Sequence, residues 1–361
     1  MKYIDEYRDI ELVKKLSAKI KQFNHHEISL MEVCGGHTMA IQRFGIPSLL
    51  PENIKLISGP GCPVCVSSIS FIDRSIAYSK LQDVIITTYG DLLRVPGSKS
   101  SLEKEKSMGA DIRIVYSSLD ALKIAINNPN KKIIFLGIGF ETTAPSSAVV
   151  IQKANHENVQ NFFLLSAHKI MPPVMETLLN SEVKINGFIC PGHVSTITGS
   201  KIYDFIPENY KIGCVVAGFE PTDILQSIQM LTKQIESKEP KVEIQYSRAV
   251  TKKGNVKAQQ LMTDVFELKD DFWRGIGEIP KSGLKLRDKY KKFDTEHFLN
   301  IDIDYGGENP ACICGNVLRG LKTPKDCKLF GKVCTPQNPV GACMVSNEGS
   351  CHAYYKYRAY E

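Results

Sequence analysis

Hydrophobic positions along the chain follow two periods. Residues 1–23 place Ile4, Tyr7, Val13, Leu16, Ile20 and Phe23 near helical spacing, which predicts a first amphipathic helix. From residue 28 onward, short runs rich in Ile, Val, Leu and Phe alternate with helix-sized stretches. The runs at 28–33, 54–58, 84–88, 112–116, 132–137, 162–166, 187–190 and 213–217 are apolar on both faces, as strands buried in a parallel sheet are. Such alternation predicts βαβ units with right-handed crossovers. Near residue 240 the alternation fades. Residues 254–266 read as one more helix, and from 270 onward Gly, Pro, Lys and Cys dominate with little periodicity. The last 50 residues lack the apolar pattern of a sizeable core, so a bound metal centre would supply the missing folding free energy.

The pattern also echoes itself. Cys62-Pro63-Val64-Cys65-Val66-Ser67-Ser68 lines up with Cys190-Pro191-Gly192-His193-Val194-Ser195-Thr196, and the same offset sets Gly90 on Gly218. A slightly different offset sets His37 on His168. Three anchors in order predict a duplicated α/β unit.

Length and composition narrow the class. A chain of 361 residues with 43% hydrophobic and 23% charged residues suits two or three globular domains and excludes wholesale disorder. The longest apolar run, 133–140, is too short to span a membrane. The N-terminus mixes charge with apolar residues and shows no secretory signal, which points to the cytoplasm. A net charge of +6 is too dilute to argue for nucleic acid. The one basic run, 281–292, reads as a solvated face, with a docking patch as the alternative.

The cysteines carry the chemistry. There are eleven, an odd number, and six fall in the last 50 residues. In a reducing compartment that crowding reads as metal or redox chemistry rather than disulfides. Cys314, Cys327, Cys334 and Cys351 supply four thiolates at wide, unequal gaps. Structural zinc sites favour close pairs, whereas a cubane iron–sulfur cluster offers separate corners to scattered ligands. A 4Fe–4S cluster is the leading reading, with zinc or free redox thiols as alternatives. Cys312 and Cys343 are left over, and nothing in the sequence assigns Cys190 or Cys214.

Cys62 and Cys65 form a C-x-x-C between a strand and a helix. This is the placement of a two-electron dithiol, with half a zinc site or inert buried cysteines as alternatives. Cys34-Gly35-Gly36-His37-Thr38 ends a strand with a lone thiol and two glycines that admit a ligand. His37 is placed to orient or deprotonate that thiol. Gly137-x-Gly139-Phe140-Glu141-Thr142-Thr143 starts like a dinucleotide fingerprint, but Thr142 stands where the third Gly belongs. Thr142 or Thr143 reads as a helix N-cap, and Glu141 as a proton carrier. His193, in Pro191-Gly192-His193-Val194-Ser195, sits in a turn where a structural role competes with a functional one.

These motifs in this order resemble the HypD family, maturation factors of nickel–iron hydrogenases. The resemblance runs from about residue 30 to the C-terminus through CGGHT (34–38), GPGCPVC (59–65), GFETTAP (139–145), PGHVSTITG (191–199) and the spaced C-terminal cysteines. It implies two similar Rossmann-like parallel-sheet domains plus an irregular cysteine-rich iron–sulfur region packed with the N-terminal helix. The corresponding boundaries are 28–128, 129–238, and 239–361 with 1–27. It implies a scaffold on which a transient iron acquires cyanide and carbon monoxide, together with a small HypC-like chaperone and a HypE-like cyanide donor. Cys34 would hold the iron, Cys62 and Cys65 would be the redox dithiol, and Cys314, Cys327, Cys334 and Cys351 would ligate the cluster. His37, Glu141, Thr142, Thr143 and His193 would orient cyanide or move protons. A stand-alone iron–sulfur-dependent thiol–disulfide oxidoreductase is the alternative.

Overall fold

A computed structural model describes residues 5–23, 26–299, 301, 303 and 306–358; Ile4 of the first helical pattern lies outside them. Eight strands form where the apolar runs predict them: β1 (Ile28–Glu32), β2 (Ile54–Ser58), β3 (Val84–Thr88), β4 (Ile112–Ile114), β5 (Lys132–Gly139), β6 (Phe162–His168), β7 (Gly187–Pro191) and β8 (Gly213–Ala217). A short β9 (Val242–Ile244) and a hairpin of β10 (Phe266–Trp273) and β11 (Gly277–Leu286) follow. Between its buried ends β10 alternates half-buried and exposed positions, a period of two inside a stretch that reads as irregular by composition.

Two parallel sheets result, ordered β2-β1-β7-β8-β9 and β4-β3-β5-β6. Both wind the same way. The second strand lies outside the first, and the third returns on the other side. Each sheet therefore has one point where the winding reverses, between β1 and β7 and between β3 and β5. Ligands of open α/β sheets bind beyond the carboxyl ends of the strands at such points.

The sheets are nested, which corrects the expected boundaries. After β2 the chain builds the whole second sheet before returning for β7 to β9, so 28–128 and 129–238 each contribute to both sheets. The echo between Cys62 and Cys190 likewise compares the segment after β2 with β7, positions that do not correspond in the winding. Strand–turn–helix junctions share Gly, Pro and Ser for local reasons, and that suffices to produce the echo. Nor does 239–361 stand apart. The helix Val256–Val265 packs on Ala144–His156, and the hairpin joins the second sheet through Ser166 Oγ donating to the Leu284 carbonyl at 2.8 Å. The first helix, Ile10–Ile20, is capped by Asp9 and packs on Pro221–Ser237 beside the first sheet. Among the described residues no comparable packing joins it to the cysteine-rich region.

Side-chain alternation divides the core. Ile85, Ile133, Phe135, Phe162 and Leu164 face the outer helices of the second sheet, whereas Ile86, Ile134, Leu136, Phe163 and Leu165 face inward. Met31, Val33, Phe188 and Val216 of the first sheet join that inner set, as do Cys62, Cys65, Cys314, Cys334, Cys343 and Cys351. One apolar core thus unites the inner faces of both sheets with the cysteine-bearing segments. Among the described residues no helix is long and apolar enough to cross a membrane.

Candidate functional site

Cys34 leaves β1 in an extended conformation and occupies the N-cap of the helix Gly35–Arg43. The first backbone N–H groups of that helix, at Gly36 and His37, face its sulfur. Burial pushes the thiol up to about 12, and the nearby Glu348 and Glu32 carboxylates add to the effect. Such a thiol keeps its proton at neutral pH until a cation displaces it, the usual coupling of metal binding to proton release. Glu32 is itself fully buried. Its carboxylate accepts from the Cys34 N–H at 3.0 Å and from the Thr38 hydroxyl, yet burial still raises it to about 8.

The C-x-x-C loop rests directly on this turn. The Gly35 N–H donates to the Gly61 carbonyl at 3.0 Å. A Cβ on Gly61 would fall 2.1 Å from the Cys34 nitrogen and 2.3 Å from its Cα, so only a glycine lets the two backbones approach this closely. Cys62 then caps the single turn Pro63–Val66 and is bonded to Cys65 as a disulfide. The C-terminal region closes the third side. A Cβ on Gly35 would overlap the Glu348 side chain, the helix Ser350–Arg358 packs on Gly35–Arg43, and Ala342–Met344 lies against the dithiol turn.

The His37 ring is anchored on backbone carbonyls. The His37 Nε2–H donates to the carbonyls of Ala217 and Gly218 at 3.2 and 2.9 Å, which fixes the ring at the end of β8 rather than on the thiol. Burial lowers its pKa to about 4, so the ring is neutral. Its Nδ1 is left as a buried acceptor without a hydrogen-bond partner. Phe219 stacks between two imidazoles, with centroids 4.6 Å from His37 and 3.9 Å from the exposed His193. His37, Phe219 and His193 therefore form one ring stack across the β1–β7 reversal point.

Glu141 lies at the other reversal point, beyond β5. One carboxylate oxygen accepts from the Met171 N–H at 3.0 Å, and the other is buried without a partner. Burial raises the group to about 7. Its charge is felt at Tyr203, beside Cys190 and Cys214, in the core between the sheets. No contact joins it to Cys34. Thr143 occupies the N-cap of Ala144–His156, but its hydroxyl donates back to the Ile138 and Phe140 carbonyls instead of capping the helix. Thr142 is exposed.

The folded pKa of Glu141 exceeds its unfolded value of 4.5, so its protonated form stabilises the fold fully below pH 4.5. That stability falls as pH rises toward 7, by up to about 1.4 kcal/mol per pH unit. Glu141→Gln keeps an acceptor for the Met171 N–H and is expected to remove this slope. Urea unfolding between pH 4.5 and 7.5 measures it, and an unchanged slope in the variant would refute the assignment.

The C-terminal thiols gather. Cys314 and Cys343 interact with the Cys351 sulfur and hold that thiol below its ordinary value, while Cys314 and Cys351 push Cys343 up. Cys312 hydrogen-bonds to Cys314, and Cys334 feels both electrostatically. A Cβ on Gly341 would fall 2.5 Å from the Cys314 sulfur and 2.6 Å from that of Cys312, so this glycine makes room for the pair. Cys343 and Cys312, left over in the spacing, thus sit inside the group, whereas no contact places Cys327 in it. Among the described residues, no three His, Cys, Asp or Glu side chains are arranged to hold a single metal ion. Several buried sulfurs sharing protons are nevertheless a donor set suited to a soft, thiolate-bound centre.

Sequence reasoning missed Glu32, Phe219 and Glu348. A signal for Phe219 existed, because Gly-Phe-Glu follows both β5 (139–141) and β8 (218–220). The importance of Glu32 and Glu348 comes from burial beside Cys34, which no local pattern announces.

Comparison with known proteins adds a second line of evidence. Residues 11–358 match the family model HypD, described as "Hydrogenase formation hypA family". The chain is 47% identical to hydrogenase maturation factor HypD2 of Bradyrhizobium diazoefficiens, over 99% of this chain and 97% of that one. It is 44% identical to hydrogenase maturation factor HypD of Escherichia coli K12, over 100% and 99%. A putative hydrogenase expression/formation protein of Methanocaldococcus jannaschii is 49% identical, over 97% and 96%.

Proposed function

The chain belongs to the HypD family and has a role in hydrogenase maturation; from that premise we propose that it is the scaffold on which the iron–cyanide–carbonyl moiety is assembled. The observation that supports this reading is the backbone-to-backbone packing of the dithiol loop on Cys34 through Gly61. It sets the backbone of the Cys34 turn against the loop that carries a two-electron couple, at a reversal point of the sheet.

In this reading the incoming iron displaces the Cys34 proton, which passes to solvent, and Cys34 holds the metal as a soft thiolate, shared with a cysteine of a small HypC-like partner. One protein sulfur leaves positions free for diatomic ligands and for handover. A HypE-like donor brings cyanide as a thiocyanate, R–S–C≡N. Breaking its S–C bond to leave a thiolate and cyanide consumes two electrons. The Cys62 and Cys65 thiols supply both on forming their disulfide and release two protons. One of those protons neutralises the departing thiolate and the other passes to solvent.

Cys314, Cys334 and Cys351, which the fold gathers, and Cys327, which stands outside that group, would hold a 4Fe–4S cluster, whose chemistry is the supply of electrons one at a time. Metal analysis after anaerobic purification tests this assignment. About four iron and four acid-labile sulfide per chain are expected, and one zinc without iron would overturn it. Rapid reduction of generic disulfides by the isolated chain, independent of Cys34, would favour the oxidoreductase alternative over the scaffold.

A further inference from the structure

Arg274 is a buried cation that none of this chemistry uses. It sits at the turn between β10 and β11, and only 4% of its surface is exposed. Burying a guanidinium is costly unless its donors are satisfied, yet its accounts do not close. The Nε pairs with Glu308 at 3.2 Å, and Nη2 donates to the Pro96 carbonyl at 3.3 Å. Among the described residues Nη1 is buried with no hydrogen-bond partner.

Its position is specific. The Arg274 backbone N–H donates to the Val66 carbonyl at 3.0 Å, the last residue of the dithiol turn. The next residue, Gly275, meets Gly315 so closely that a Cβ on it would lie 2.3 Å from the Gly315 Cα; Gly315 follows Cys314. The charge of Arg274 is also felt at Cys312. One residue therefore touches the dithiol turn with its backbone and the cysteine-rich group with its charge.

We propose that Arg274 is a positioning residue that sets the reduction potential of the centre held by the C-terminal cysteines, with Nη1 as the donor reserved for its sulfurs. The inference rests on the cluster reading above. The physical ground is simple: reduction adds one electron, and a fixed buried cation stabilises the more negative form. Glu308, about one-third exposed, partly cancels that cation.

The test is a redox titration of the anaerobically purified full chain, followed by electron paramagnetic resonance, with iron and sulfide content measured alongside. In Arg274→Gln the reduced-to-oxidised ratio at fixed ambient potential is expected to fall about tenfold, equivalent to about 59 mV for one electron. Arg274→Lys is expected to recover part of it. Glu308→Gln leaves the cation uncompensated and is expected to move the ratio the opposite way. Should Arg274→Gln lose its cluster, the Glu308 variant decides, since Glu308 itself is near the surface and its effect has a sign that misfolding does not produce. Full iron and sulfide content with unchanged ratios in the variants would overturn the role of Arg274. Absence of iron and sulfide from the unmodified chain would instead overturn the cluster reading, and this inference with it.

Discussion

Replacing Cys34 by Ala is expected to abolish the cyanide and carbon-monoxide stretching bands of the complex purified with its small partner. The whole effect falls on one atom. Among the described residues the cysteines other than Cys34 and Cys327 lie in three groups: Cys62 with Cys65, Cys190 with Cys214 in the inter-sheet core, and the gathered C-terminal set. Cys34 alone stands at the N-terminus of the helix Gly35–Arg43, with backbone N–H groups toward its sulfur. A methyl in its place offers iron no donor and leaves the helix and Glu32 in position. Infrared spectra of anaerobically isolated complexes make the comparison. Bands at full intensity in the variant would remove Cys34 as the iron ligand and leave the paired thiols without a neighbouring substrate.

Gly61→Ala is the second large effect. Its Cβ would overlap the Cys34 nitrogen and Cα at 2.1 and 2.3 Å, and both are backbone atoms that cannot rotate away. The loop must lift off, which breaks the bond from the Gly35 N–H to the Gly61 carbonyl. We expect a loss of about 3 kcal/mol or more, at the upper end of overpacking costs. Cys34 should also become open to alkylation. Gly307→Ala is the control, because its Cβ would meet nothing within 4 Å. Denaturant unfolding and thiol-labelling rates report the two consequences. A Gly61→Ala chain as stable and as slow to label as the unmodified one would show that the dithiol loop does not bear on Cys34.

The chemistry and the nesting also bear on how the chain folds. β1 and β2 must wait for β7, more than a hundred residues later, before the first sheet has a third strand. Contacts of that separation are slow to form because loop closure precedes their reward. The second sheet is contiguous in sequence between β3 and β6 and does not share that delay.

What was readable in the chain alone is what local physics controls. Runs such as Val84–Thr88 and Gly213–Ala217 are buried along their whole length, and that needs only a string of apolar residues. The motif thiols at Cys34, Cys62, Cys65 and the C-terminal segment were legible for the same reason, since residue type and spacing are local. Three things were decided only in three dimensions. Strand pairing across the nest depends on partners distant in sequence, so the boundary at 128/129 had no local signal against it. The β10–β11 hairpin, with Arg274 at its tip, gains its meaning from the dithiol turn and from Gly315, next to Cys314, both of which it touches. The states of Glu32, His37 and Glu141 come from burial by elements far along the chain, because desolvation depends on what surrounds a group and not on its neighbours in sequence.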